Sequence, residues 1–260
     1  MARVSVDYHD HIARVTLTRS DKMNALDDAM VQAIIAAGQE VAASDARVVV
    51  LSGEGKSFCA GLDLASFAKM GQTDPTEWLM ARSHGDTNQM QEIAMVWRRV
   101  PVPVIAVLQG AVYGGGLQLA LGADIRIAAP DAKLSVMEMK WGLVPDLGGM
   151  VLLPSLVRSD VLRQMTYTAR PIMATQAETW GLVTSVSDDA MGDALEMAAE
   201  IAGKSPSAIR AAKRLIDVAE TAARADVLLA ESAEQAQLIG KPDQMEVITA
   251  QMQGRKPEFK

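Results

Sequence analysis

Apolar and polar residues alternate along RVSVDYHDHIARVTLTR (3–19) on both sides of a polar tip, the pattern of two half-buried strands joined as a hairpin. The period then changes. In KMNALDDAMVQAIIAAGQEVAAS (22–44), Met30, Ile34, Ala37 and Val41 recur at helical spacing, and Asp27 and Asp28 stand near the positive end of the helix they predict. ARVVVLSG (46–53) and PVPVIAVLQG (101–110) are apolar runs closed by glycine, as strands buried on both faces are, with a long helical segment predicted around 74–99 between them. ADIRIAAP (123–130) reads as a further strand. From about residue 188 the strand signals stop, and helical stretches separated by SPSA (205–208) and GKPD (240–243) follow, Pro206 sitting well in a first helical turn. This rhythm predicts an α/β class of stacked β-β-α units followed by a helical last third.

Composition adds exclusions. The chain has 260 residues, 49% of them hydrophobic and 22% charged, enough to bury a full core and too apolar for wholesale disorder. A formal charge of −7 argues against nucleic acid as a partner, since phosphate recognition needs clustered Lys and Arg, present only in small groups such as Arg98-Arg99. The N-terminus lacks the apolar core of a signal peptide and no run approaches a membrane span, which predicts a soluble protein. The single cysteine, Cys59, excludes an internal disulfide and fits a reducing compartment, the cytoplasm.

Several apparent motifs fail. GEGKS (53–57) resembles the tail of a phosphate-binding loop, but the glycine required five residues before Gly55 is Val50. The run Gly114-Gly115-Gly116 fails as a dinucleotide fingerprint because Leu119 occupies the last glycine position. His9 and His11 fall in a predicted turn without a carboxylate or thiol partner, so no metal site is expected. Cys59 has no histidine in a partner motif and reads as a small buried hydrophobe.

Two loops share one logic. SFCAGLDL (57–64) and QGAVYGGGLQLA (109–120) each carry a hydrophobic strand into small residues, where backbone N–H groups precede a helix. One N–H from each could converge on a single oxygen as an oxyanion hole. With these loops the chain resembles the enoyl-CoA hydratase/isomerase (crotonase) family over nearly its whole length: K-x-N-A-L at 22–26, S-F-C-A-G-x-D-L at 57–64, P-V-I-A-V…G…G-G-G at 103–116, A-D-I-R-I-A at 123–128, E-x-x-x-G-L-x-P-D-x-G-G at 138–149 and A-x-x-W-G-L-V at 177–183.

The resemblance implies a spiral of repeated ββα units over 1–190 and a helical C-terminal region over 191–260 that caps the core and builds a homotrimer or a dimer of trimers. It implies a coenzyme A thioester as substrate, with no metal or separate cofactor, and a carbonyl oxygen held by the N–H groups of Leu62 and Gly115. Three glycines weaken an ordered backbone by roughly 0.5–1 kcal/mol each, so the run is expected to serve close approach of the thioester, with tight helix packing the alternative at Gly114 and Gly116. Lys22, Asn24 and Ala25, with Ala60, Gly61 and Asp63, are expected along the coenzyme. Phe67, Met70, Trp78, Met80 and Met90 fall where relatives shape the acyl pocket, or else pack the core.

The acids decide the reaction. The family's hydratases use two glutamates, and at those positions this chain has Gln118 and Glu138. An amide cannot take up a proton near neutral pH, so Gln118 can hold a water or an acyl group but cannot be a base. Glu138 alone can move a proton from the second carbon of a 3-enoyl thioester to the fourth, which favours double-bond isomerisation over hydration. Its neighbours Met137, Met139 and Trp141 are expected to desolvate it and raise its pKa. Asp146 resembles both a third acid of dienoyl-CoA isomerases and the nucleophile of a dehalogenating relative, while an ordinary helix cap for LGGMVLLPSLV is an equal reading. A hydrolase or dehalogenase acting through Asp146, and a binder that has lost its chemistry, are the remaining alternatives.

Overall fold

The structure, a computed structural model, describes residues 2–66 and 74–259. Strands β1 (Val4–His9) and β2 (Ile12–Leu17) form the predicted hairpin, pairing from Val4 opposite Leu17 to His9 opposite Ile12. Asp10 and His11 both have positive φ, 48° and 63°, the signature of a two-residue turn whose twist matches that of the strands. Helix α1 (Asp28–Ala42) starts where Asp27 accepts a hydrogen bond from the Met30 N–H at 2.8 Å, and it buries Met30, Ile34, Ala37 and Val41.

Strands β3 (Val48–Gly53), β4 (Val104–Leu108), β6 (Ile125–Ala128) and β9 (Ser185–Val186) continue the sheet in parallel, giving the order β1-β2-β3-β4-β6-β9. The second sheet holds β5 (Ala111–Tyr113), β7 (Lys133–Ser135) and β8 (Ile172–Met173). The chain therefore alternates between sheets, β4 to β5 and β6 to β7. Isolated parallel bridges Cys59–Val112 and Leu26–Leu62 extend the alternation to the earlier turns. This is the spiral of ββα units that the motifs imply.

The segment predicted as one helix over 74–99 is two: α2 (Pro75–Leu79) and α3 (Gln89–Arg99). Asn88 caps α3 and Gln91 reaches back to the Asn88 N–H, a capping box that forces a helix start inside the polar run SHGDTN. Helix α4 (Gly115–Leu121) is wholly buried, and a 3-10 turn spans Glu138–Trp141. Helices α5 (Gly149–Leu156), α6 (Ser159–Thr168) and α7 (Ala174–Thr179) follow, then α8 (Ala190–Ala202), α9 (Pro206–Thr221), α10 (Arg224–Leu238) and α11 (Pro242–Gln253).

Two cores result. The larger fills the space enclosed by the sheets and α1, α3 and α4, with Trp97 and Phe58 fully buried. The smaller lies on the outer face of the six-stranded sheet, where Val48, Val50, Ile105, Val107 and Ile127 meet Ala190, Ala194, Ala198 and Ala202. Alanine at every fourth position gives α8 a flat face that lies close to the sheet. Helix α9 is fastened to the core by a buried ammonium: Lys213 donates to Asp124 Oδ2 at 2.8 Å and to the carbonyls of Val102 and Trp97. Beyond it, α10 buries no residue in the single chain and exposes Leu228 and Leu229.

The close seat of α8 leaves no room for larger side chains. Ala194→Leu is expected to lower unfolding free energy by about 1–3 kcal/mol in urea denaturation, with little change in the slope.

Candidate active site

The sequence loops meet beside one large cavity of about 1080 Å³. Segment 57–64 runs alongside β5, with Phe58 N–H bonded to the Gln109 carbonyl and Tyr113 N–H to that of Cys59. Gly61 sits at the crossing with φ of 88°. A Cβ there would stand 2.6 Å from the Tyr113 carbonyl oxygen and 3.5 Å from the Gly115 nitrogen, so only glycine allows this approach.

The parallel bridge to Leu26 uses the Gly61 carbonyl and the Asp63 N–H, which turns the N–H of Leu62 away from it. Gly115 opens α4, where no turn precedes it to accept its N–H. Both residues line the cavity, and neither N–H has a protein acceptor among the described residues.

The glycine run has reasons inside the protein. Gly114 takes φ of 51°, and a Cβ on it would lie 3.3 Å from Glu138 Oε1. A Cβ on Gly115 would press Leu26 and Leu147 at 2.9 and 3.0 Å, and one on Gly116 would run into the Cys59 carbonyl. Close helix-to-loop packing, set against thioester approach as the alternative, thus accounts for Gly116 and bears on Gly115 as well.

Glu138 opens the 3-10 turn, lines the cavity and is 9% exposed. Its Oε1 accepts a hydrogen bond from Gln118 Nε2 at 2.6 Å, while Oε2 is buried without a partner among the described residues. Burial raises its pKa above the usual carboxylate value, and the nearby Asp146 charge pushes the same way against the lowering effect of the Gln118 donor. Of the neighbours expected to do this, only Met137 is placed for it. Met139 and Trp141 are exposed, and the carboxyl is enclosed by Gly114, Gln118 and Met137.

Asp146 lines the same cavity, half-buried, and burial raises its pKa too. It does not cap α5. That helix begins at Gly149 behind Gly148, with φ of 91° and no side-chain cap, so the capping reading of Asp146 is corrected. Gln118 also departs from expectation: it lies under the cavity wall rather than on it, its Oε1 accepting the N–H groups of Leu147 and Gly149 at 2.8 and 2.9 Å. It is committed to the protein and has no oxygen to spare for water or an acyl group.

Of the residues expected along the coenzyme, Lys22, Ala25, Ala60 and Gly61 line the cavity. Asn24 does not. It is fully buried, donating to the carbonyls of Glu54 and Ser57 and accepting from the Arg19 N–H, and so braces the loop from behind. Asp63 reaches the cavity, but its carboxylate is taken by Arg19 at 2.6 Å and by the Ala65 N–H. That backbone bond and the guanidinium hold its pKa below the usual range. Arg19, missed in the sequence, pairs with Asp27 as well and ties α1 to the Leu62 loop; an arginine closing a strand gives no local sign of such a role. Trp78 and Met90 line the cavity, Met80 is exposed, and Phe67 and Met70 lie outside the described residues.

The Cys59 thiol is buried, donates to the Asn24 carbonyl and has its pKa pushed up to about 12 by burial, so it is no nucleophile at neutral pH. Among the described residues no group of three or more potential ligands gathers for a metal, and no helix is long and apolar enough to cross a membrane.

Ionising a buried carboxyl has a consequence for stability. Below the unfolded pKa both states are protonated; as pH rises past it the unfolded state ionises first, and the penalty on the folded state grows until its own raised pKa is passed and stays in full above it. Glu138→Gln and Asp146→Asn together are therefore expected to raise the urea midpoint at pH 8 and leave it unchanged at pH 3, checked by denaturation at both values.

Comparison with known proteins fits this geometry. The sequence model of the enoyl-CoA hydratase/isomerase family matches residues 7–260. YngF of Bacillus subtilis is 34% identical over 256 residues, 97% of this chain and 95% of that one. The human mitochondrial Delta(3,5)-Delta(2,4)-dienoyl-CoA isomerase is 34% identical over 211 residues, 78% of this chain and 64% of that one, under two thirds of its length. The crystal structure of enoyl-CoA hydratase from Bacillus anthracis superposes with a TM-score of 0.88 at 30% identity over 99% of both chains. By sequence and by fold, the chain belongs to the enoyl-CoA hydratase/isomerase family.

Proposed function

We propose that the protein shifts a carbon-carbon double bond in an enoyl-CoA thioester, without a separate cofactor. The observation that carries this reading is the unequal state of three side chains: Glu138 with one free buried oxygen, Asp146 in the same cavity, and Gln118 locked as an amide. The thioester carbonyl oxygen accepts the N–H groups of Leu62 and Gly115. That polarises the carbonyl and stabilises the dienolate formed when Glu138 Oε2 removes a proton from the second carbon of a 3-enoyl chain. A proton delivered from that carboxyl to the fourth carbon, after exchange with solvent, leaves the conjugated 2-enoyl product with no net gain or loss of atoms. In a dienoyl chain Asp146 supplies the more distant proton, and the likeness to dienoyl-CoA isomerases supports that variant.

Hydration is the second reading. Asp146 restores the count of two carboxyls, and among the relatives is (E)-benzylidenesuccinyl-CoA hydratase of Thauera aromatica, 34% identical over 215 residues, 81% of this chain and 80% of that one. Against it, water addition calls for an acid pair flanking one water, and one hydratase position is the committed amide.

Purified protein incubated with 3-enoyl, 3,5-dienoyl and 2-enoyl thioesters in deuterated water separates these readings. Isomerisation with solvent deuterium entering the acyl chain is the expected result, and Glu138→Ala is expected to cut kcat/KM by on the order of 10²–10⁴ while binding persists. Fast water addition to the 2-enoyl compound with no double-bond shift would defeat the isomerase reading; binding without turnover or exchange would leave only a thioester binder.

We propose too that α9–α11 assemble the chain into a homotrimer, alone or paired, because the apolar side chains of α10 have no cover in the single chain. Light scattering is expected to give a trimer or hexamer mass for the native chain and a smaller one for Leu229→Glu. A monomeric native chain would overturn this.

A further inference from the structure

The position that makes this chain unlike a two-glutamate enzyme has a built environment of its own. Gln118 Oε1 receives two backbone N–H groups, from Leu147 and Gly149, which fixes the orientation of its amide: flipped, its NH₂ would face two donors and its oxygen would face a carboxyl. Nε2 is thereby aimed at Glu138 Oε1.

Two glycines make room for this. A Cβ on Gly149 would lie 2.8 Å from both Cγ and Oε1 of Gln118, and one on Gly114 would press on the carboxyl that Gln118 holds. The same amide joins the turn bearing Glu138 to the segment bearing Asp146, since Leu147 is the next residue.

We propose that Gln118 is the positioning residue of the two-carboxyl site, an amide that holds Glu138 Oε1 and leaves Oε2 as its only proton-exchanging oxygen, in a cavity that Asp146 also lines. On this view the amide is a requirement of the site and not the relic of a lost glutamate. The inference uses the reaction proposed above only to name what the carboxyls do; the geometry of the clamp does not depend on it.

A glutamate at 118 would meet the same two donors and the same carboxyl. One of its oxygens would take the two backbone N–H groups, and the other would lie at hydrogen-bond distance from Glu138 Oε1. Two carboxyls so placed share one proton. The one with two N–H donors keeps the charge, so the proton goes to Glu138 and removes the base.

Few other charges face Glu138. Helix α4 carries no titratable side chain. On α6, which packs against the 3-10 turn, Asp160 pairs with Arg158 and Arg163 bonds Tyr167, all at the surface. Lys140 lies over the Trp141 ring, Arg19 and Asp63 are paired with each other, and Asp21, Lys22 and Tyr113 also line the cavity. Asp146 is the charged group that acts on Glu138.

The test reads the Glu138 carboxyl directly. Carboxyl-¹³C glutamate is incorporated, the Glu138 resonance is assigned by its loss in Glu138→Gln, and its titration is followed in ligand-free native protein, Gln118→Glu and Gln118→Met. Gln118→Glu is expected to raise the Glu138 midpoint by on the order of one to three pH units, in two coupled steps, and to give no hydration of a 2-enoyl thioester. Gln118→Met keeps the bulk and loses the clamp. It is expected to raise the midpoint in a single step and to lower kcat about tenfold or more, while affinity for a saturated acyl-CoA changes little.

Unmoved midpoints in both variants, native turnover in Gln118→Met, or fast hydration by Gln118→Glu would overturn the inference. Should Gln118→Glu not fold, Gln118→Met decides alone. If the midpoints move but the native protein catalyses no double-bond shift, the clamp stands and the proposed reaction falls, so the two fail separately.

Discussion

A carboxyl group cannot be taken out of water without something to manage its charge, and the centre of this protein is organised around that constraint. Glu138 is given one hydrogen bond from a neutral amide, enough to keep it in place and too little to fix it as a carboxylate. The amide is held by backbone donors from the next segment, that segment is seated by a bare Cα at Gly149, and the carboxyl is admitted by another at Gly114. Segments 57–64 and 109–120, the turn at Glu138–Trp141 and the stretch from Asp146 to Gly149 meet there, with glycine where they come closest.

Much of this architecture is readable from residues alone because it rests on periodicity. The hairpin at 3–19, the amphipathic α1 and the doubly buried β3 and β4 all follow from which positions must face the core. The helix break between α2 and α3 was not visible that way, since Asn88 and Gln91 act through hydrogen bonds that hydrophobic spacing does not record. In the site, the motifs located the loops, Glu138 and Asp146. They could not tell which polar residues face the cavity: Asn24 and Gln118 turn their amides into the protein, and Asp63 spends its charge on an arginine 44 positions earlier in the chain. Those outcomes depend on which groups the fold leaves unpaired.

The two ends of the molecule are built on different principles. The site depends on backbone close approach and a handful of fixed hydrogen bonds, while the C-terminal region depends on long helices with weakly covered faces. Lys213 joins them, a buried ammonium whose partners come from the core on three sides. Burial lowers its pKa while Asp124 opposes the shift, so in the docked helix the ammonium leans on that carboxylate.

The locked amide also sets a boundary for hydrogen traffic. Its nitrogen donates but does not ionise, and its oxygen is filled, so no relay leads from Glu138 back into the protein through position 118. Any proton that the carboxyl gives up or takes back must therefore travel by another route than the amide behind it.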